Sequence, residues 1–148
     1  MADSGSDHGP HGALRRLDHV AVLVEDTERT LSALSSDLGL EVVADEVLED
    51  PPVRLSYVDC GNVLLQLVEP LDPASPIGTH LRERGEGLHH ICFAVENVPE
   101  TAAALAPLDA PPPTIGQGRG RRSAFVPGLA PAGVPIELTE LRPEDPAG

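Results

Sequence analysis

Four residues of metal-binding type recur at a single spacing in this chain. His19 and His90 lie 71 residues apart, and so do Gln66 and Glu137. Two imidazoles, a carboxylate and an amide oxygen suit a borderline divalent ion such as Co²⁺, Mn²⁺, Ni²⁺ or Zn²⁺. Four protein donors on a six-coordinate ion leave positions open for water or substrate oxygens, as in a catalytic site; a structural site would be closed. Taken singly, either histidine reads as an ordinary hydrogen-bonded residue and Gln66 as a polar strand residue. The shared offset is what makes the four a candidate set.

The offset belongs to an internal repeat. At a shift of 71, His19-Val20-Ala21-Val22-Leu23-Val24-Glu25 falls on His90-Ile91-Cys92-Phe93-Ala94-Val95-Glu96. The same shift carries Leu65-Gln66-Leu67-Val68-Glu69 onto Ile136-Glu137-Leu138-Thr139-Glu140, and Thr30, Ala33 and Leu34 onto Thr101, Ala104 and Leu105.

The elements that must position these residues follow from pattern. Leu17–Val24 reads as a strand rich in β-branched residues. Asp26 offers an N-cap, Leu31, Leu34 and Leu38 keep helical spacing, and Gly39 sits where a glycine ends a helix, which predicts a helix over Thr27–Leu38. Apolar runs near 40–48, 53–59 and 62–69 predict three strands, with Gly61-Asn62 as a turn. After a Pro-rich connector with a short helix at Ile77–Arg84, the pattern restarts. Strand Leu88–Val95 is followed by a helix over Pro99–Leu108, a Pro/Gly/Arg-rich loop over 109–121, and strands at Arg122–Val126 and Val134–Leu141. A further strand is expected near 113–116. Side chains alternate along a strand. Val20, Val22 and Val24 therefore take the face under the helix, leaving His19 and Ala21 on the other. Ile91, Phe93 and Val95 likewise oppose His90, Cys92 and Ala94. With Leu65 and Leu67, or Ile136 and Leu138, packed inward, Gln66 and Glu137 also fall on the face away from the helix.

The chain has 148 residues, enough for one compact domain. Its formal charge of −14, with no lysine among ten basic residues, disfavours nucleic acid and anionic membrane as partners. Two Phe, one Tyr and no Trp leave little for stacking bases. Cys60 and Cys92 make no disulfide framework and fit a reducing compartment. With no apolar stretch long enough to cross a bilayer and no leader pattern, the expected location is cytoplasmic. The polar residues 1–14 are expected to form a disordered tail, His8 and His11 included, and 143–148 a short frayed end. One domain is expected over 15–142, as module 15–70, connector 71–86 and module 87–142.

Several stretches resemble the vicinal oxygen chelate (glyoxalase) superfamily, and its methylmalonyl-CoA epimerases most. They are Leu17-Asp18-His19-Val20-Ala21-Val22, Leu64-Leu65-Gln66-Leu67-Val68-Glu69-Pro70, Ser75-Pro76-Ile77, Gly85-Glu86-Gly87-Leu88-His89-His90-Ile91 and Val134-Pro135-Ile136-Glu137-Leu138. The resemblance covers about residues 15–141. It implies an α+β fold in which two tandem βαβββ modules form a curved mixed sheet around a metal-containing cleft. It also implies His19, Gln66, His90 and Glu137 as ligands. The implied chemistry is epimerisation: the α-proton between a thioester and a carboxylate moves through a metal-stabilised enolate, with Glu137 also one acid/base. A family glutamate before the third strand has no identical counterpart. Counting back from Val53, Asp50 takes its place and Glu49 is its neighbour, in a segment stiffened by Pro51 and Pro52.

Arg119, Arg121 and Arg122 concentrate charge in the Gly-rich loop and could meet a substrate carboxylate or CoA phosphates; a plain surface loop reads equally well. Cys92 reads as cleft-wall packing and His80 as surface; His89 is not expected to be a ligand. The expected partner is a small acyl-thioester or another chelating carbonyl compound. A homodimer is compatible, since such folds often dimerise. Two rival readings keep the fold: a glyoxalase-like lyase or isomerase on another chelating carbonyl substrate, and a non-catalytic small-molecule binder.

Overall fold

The computed structural model describes residues 13–145. The expected N-terminal tail, with His8 and His11, lies outside these residues except for 13 and 14, as does the end of the chain at 146–148. The element order is β1 (Arg16–Leu23), α1 (Thr27–Leu38), β2 (Glu41–Glu49), β3 (Pro52–Asp59), β4 (Leu64–Pro70), α2 (Pro76–Arg84), β5 (Gly87–Val95), α3 (Val98–Leu105), β6 (Gly116–Gly118), β7 (Arg121–Phe125) and β8 (Ile136–Glu140). This is βαβββ twice, with α2 between, an α+β fold as expected.

The chain divides into two compact units, residues 19–89 and residues 13–18 with 90–145. The cut falls inside β1 and β5, immediately before His19 and His90. In the first unit the strand order is β2-β3-β4-β1, with β1 and β4 parallel and the other pairs antiparallel. In the second it is β5-β8-β7-β6, again with only the pair β5 and β8 parallel.

The repeat extends to the helix starts. Asp26 caps α1 by accepting from Arg29 N (3.2 Å), and Asn97 caps α3 by accepting from Glu100 N (2.9 Å). The Glu69 carboxylate accepts from Thr27 N (3.1 Å), and the Glu140 carboxylate accepts from Val98 N (2.9 Å). Each pair of equivalents obeys the 71-residue shift. A strand-end carboxylate thus satisfies an otherwise orphan amide at the positive end of each helix.

Departures from expectation have local causes. Helix α3 stops at Leu105, three residues short of the expected Leu108, because Ala106 is extended (φ −69°, ψ 147°) ahead of Pro107. A residue before proline is disfavoured in the helical region. Strand β6 begins at Gly116 instead of near 113, since Pro111, Pro112 and Pro113 have no amide to donate. Near the C-terminal end, Asp145 N donates to Arg142 O (2.9 Å), and the Asp145 carboxylate accepts from Arg142 N (2.9 Å). At the other end, Leu14 packs against the core of the second unit.

The cores of the two units lie differently. In the second, Val95, Ile136 and Leu138 pack with Val98 and Ala102 of α3, on the helix face, as the alternation predicts. In the first, the buried cluster is Ala21, Leu23, Val53, Leu55, Tyr57 and Val68, with Ile77 and Leu81 of α2 against it. The strand register puts that cluster on the face of His19 and Gln66, whereas Val20 and Val22 on the α1 face are only half-buried.

Candidate active site

In the first unit, His19 and Gln66 share one sheet face on neighbouring strands: Ala21 pairs with Gln66, and His19 with Leu64. Both are buried, at 3% and 5% exposure. On the third strand Tyr57 lies opposite Gln66. Gln66 Nε2 donates to the Tyr57 hydroxyl (2.8 Å), and the Tyr57 and His19 rings meet at near right angles, with centroids 5.9 Å apart. Gln66 Oε1 is buried without a hydrogen-bond partner. An unsatisfied buried acceptor costs roughly 1–3 kcal/mol. An amide oxygen left free in this way, beside a buried imidazole, is a donor set that fits a divalent cation.

In the second unit, Glu137 of β8 pairs with Cys92 of β5 and faces Phe125 of β7. His90 Nε2 is 3.0 Å from Glu137 Oε1, and its ring meets Phe125 edge-on at 4.8 Å between centroids. His90 is buried and Glu137 nearly so. Cys92 has no exposed surface. Burial first, then the Glu137 and Asp18 carboxylates, push its thiol well above the ordinary range. A thiol so held is protonated and is no nucleophile at neutral pH.

The other expected site residues lie on the β2–β3 and β6–β7 hairpins. Glu49 and Asp50 are exposed at the tip of the β2–β3 hairpin, where Glu49 pairs with Pro52. Along β3 from Pro52 to Tyr57, the partner of Gln66, is roughly 16 Å at the usual strand rise. The register thus does not bring either acid to Gln66.

The three loop arginines are each paired with an acid. Arg119 meets Asp18, which is 2% exposed and lies 3.6 Å from Arg16. Arg121 holds Asp145 (2.7 Å) and donates to Glu140 O (3.1 Å). Arg122 meets the Glu140 carboxylate (2.6 Å) and is the one of the three still half open to solvent, at 52%. Burial raises the Glu140 carboxyl, but the Arg122 guanidinium and the Val98 amide outweigh it, for a net lowering. The turn that presents Arg119 has positive φ at Arg119 (55°) and Gly120 (72°), as a two-residue hairpin between right-twisted strands requires.

His80 and His89 stack edge to face in the first unit, 5.0 Å between centroids. Three residues that sequence reasoning left without a role matter here. Asp18 was visible in Leu17-Asp18-His19, but its burial was not. Tyr57, the sole tyrosine, and Asp145, in the C-terminal end, carried no signal of their partners.

The chain belongs to the Glyoxalase/Bleomycin resistance protein/Dioxygenase superfamily, whose family model matches residues 18–125. That match includes His19, Gln66 and His90 and stops before Glu137. The uncharacterized protein YqjC of Bacillus subtilis (strain 168) is 33% identical over 133 residues, or 86% of this chain and 93% of that protein. The mitochondrial methylmalonyl-CoA epimerase of Bos taurus is 37% identical over 91 residues, or 61% of this chain and 52% of that protein. This chain therefore spans about half the length of that relative. A solved structure of a methylmalonyl-CoA epimerase in complex with methylmalonyl-CoA and NH4+ superposes with a TM-score of 0.72 at 32% identity, covering 88% of this chain and 96% of that one. No helix among the described residues is long and apolar enough to cross a membrane.

Proposed function

We propose that the chain is a metal-dependent isomerase of the methylmalonyl-CoA epimerase type, moving the α-proton of a malonyl-type thioester. The observation that carries this reading is that each unit presents one imidazole and one oxygen donor on one sheet face, at equivalent positions of the repeat. His19 and Gln66 from the first unit, with His90 and Glu137 from the second, would hold one divalent ion. The unpartnered Gln66 Oε1 supports that assignment. When bound, an ion of this kind would supply Lewis acidity that stabilises the charge left by the departing α-proton.

The protein's own groups do the rest. Glu137 takes the proton from the carbon between the two carbonyls, or returns it, with His90 Nε2 3.0 Å from its carboxylate. Cys92, buried, sits beside Glu137 on the adjoining strand. Arg119 and Arg121 brace the β6–β7 hairpin through Asp18 and Asp145, and Arg122 meets Glu140 on the α3 face of the sheet, opposite the face of Glu137. The relatives named methylmalonyl-CoA epimerase, and the solved complex with methylmalonyl-CoA, support the acyl-thioester class.

The decisive experiment incubates chelator-stripped protein with methylmalonyl-CoA in D₂O, with and without Co²⁺, and follows loss of the α-proton. Metal-dependent exchange above the buffer background is the expected result. No exchange despite proven metal binding overturns the epimerase reading. The exposed position of Glu49 and Asp50 at the hairpin tip favours one second reading, a lyase or isomerase on a different chelating carbonyl compound that needs a single acid/base. Metal binding without exchange on any malonyl thioester, but with turnover of such a compound, would establish it.

A further inference from the structure

Tyr57 stands against both candidate ligands that the first unit supplies. Its hydroxyl accepts the Gln66 amide hydrogen at 2.8 Å, and its ring meets His19 at near right angles. It is 1% exposed, so neither contact competes with bulk water. The two ends of an amide are nearly isosteric but opposite in character: the oxygen accepts, the nitrogen carries two donors. A buried carboxamide can therefore offer a cation either its good end or its wrong one. The side that finds a hydrogen-bond partner decides which end is spare. Here the nitrogen is engaged by Tyr57, and the spare atom is Oε1, buried and without a partner. That unmet acceptor costs stability unless something positive takes it up.

We infer that Tyr57 is a positioning residue: by holding the nitrogen end of the Gln66 amide, its hydroxyl commits Oε1 to the cation. The inference rests on the metal reading proposed above, and adds that the tuning group is a phenol on the adjacent strand. Groups outside the ligand set that orient ligands typically change metal affinity about 10- to 100-fold. Tyr57→Phe removes only the hydroxyl and keeps the ring against His19, and the Gln66→Ala background isolates the Gln66 contact.

The test is Co²⁺ titration of the chelator-stripped full chain by calorimetry, on the parent, Tyr57→Phe, Gln66→Ala and the double variant, each first checked for an intact thermal transition. The expected result is a Co²⁺ affinity about 10-fold weaker for Tyr57→Phe. The same hydroxyl deletion should cost nothing further in the Gln66→Ala background, because the amide it acted through is gone. In a His19→Ala background the loss should persist. An unchanged affinity for Tyr57→Phe overturns the inference while leaving the metal reading intact. A loss that is undiminished in the Gln66→Ala background also overturns it, since the hydroxyl would then act by another route. Failure of the parent chain to bind Co²⁺ overturns both.

Discussion

Glu137 carries two assignments, ligand and proton carrier, and His90 sits 3.0 Å from it. Replacing Glu137 with Gln keeps the shape but removes the basic oxygen. Exchange of the α-proton should then fall by at least about 100-fold, as for loss of a general base, while circular dichroism stays unchanged. Residual exchange near the parent rate would remove Glu137 from the chemistry. Arg119 makes the opposite kind of prediction. Its partner Asp18 is 2% exposed, and Arg16 lies 3.6 Å from it. Truncating one member of a buried pair leaves a desolvated charge and typically costs about 3–5 kcal/mol. Arg119→Ala should therefore shift the urea midpoint strongly, whereas Arg122→Ala, at a half-exposed residue, should leave the midpoint near the parent.

At the scale of elements, helix docking is set by small local devices. Gly78 lies in the first turn of α2, and a Cβ there would run into the backbone of Asp72 and Pro73. Backbone cannot swing aside as a side chain does, so the turn before α2 or the helix itself must move. Gly78→Ala should destabilise the chain by about 1–3 kcal/mol, the usual cost of overpacking, although alanine is the better helix former. An unchanged melting temperature would show that the start of α2 is loosely held. On the sheet, Arg54 of β3 links β2 and α1 by meeting both Asp45 and Glu28 at 2.7 Å. Its hydrogen bonds hold the Asp45 carboxyl below its ordinary range despite some burial. Both acids are largely exposed, so this link orders the edge strand more than it stabilises the fold.

For the whole molecule, acid sensitivity has an identifiable source. The Arg121 guanidinium, with the Arg142 amide, holds the Asp145 carboxyl down at about 2 against an ordinary 3.8. A carboxyl depressed on folding contributes stability above its unfolded value and loses it as pH falls through its folded value. That contribution is about 2 kcal/mol, complete above pH about 4 and gone below about 2. Asp145→Asn should be less stable than the parent at neutral pH, and the two denaturation midpoints should converge as the pH is lowered from about 4 to about 2. Metal should act on the same scale. An ion that binds only the folded chain adds about 2.7 kcal/mol at one hundred times its Kd. The thermal midpoint should accordingly rise with Co²⁺ and return with chelator. A midpoint indifferent to both would argue against a site assembled from residues so far apart in sequence.

Much of the framework was readable from residue order alone, because its causes are local. Asp26 and Gly39 bound α1 at both ends, alternation put His19 and Gln66 on one face and His90 with Glu137 on one face, and the 71-residue shift carried caps as well as candidate ligands. Pro107 contained the early stop of α3 too, although the alanine run obscured it. Tertiary structure alone decided what depends on register between distant segments. The partner of Arg119 is 101 residues away, and that of Arg121 is 24 away in the C-terminal end. These pairings turn two arginines of an apparently open basic loop into internal braces. The hairpin register likewise leaves Glu49 and Asp50 at an exposed tip and sets Tyr57 against Gln66. Periodicity gives the face of a side chain; only the pairing of strands determines which other side chains share it, and so which end of the Gln66 amide is left free.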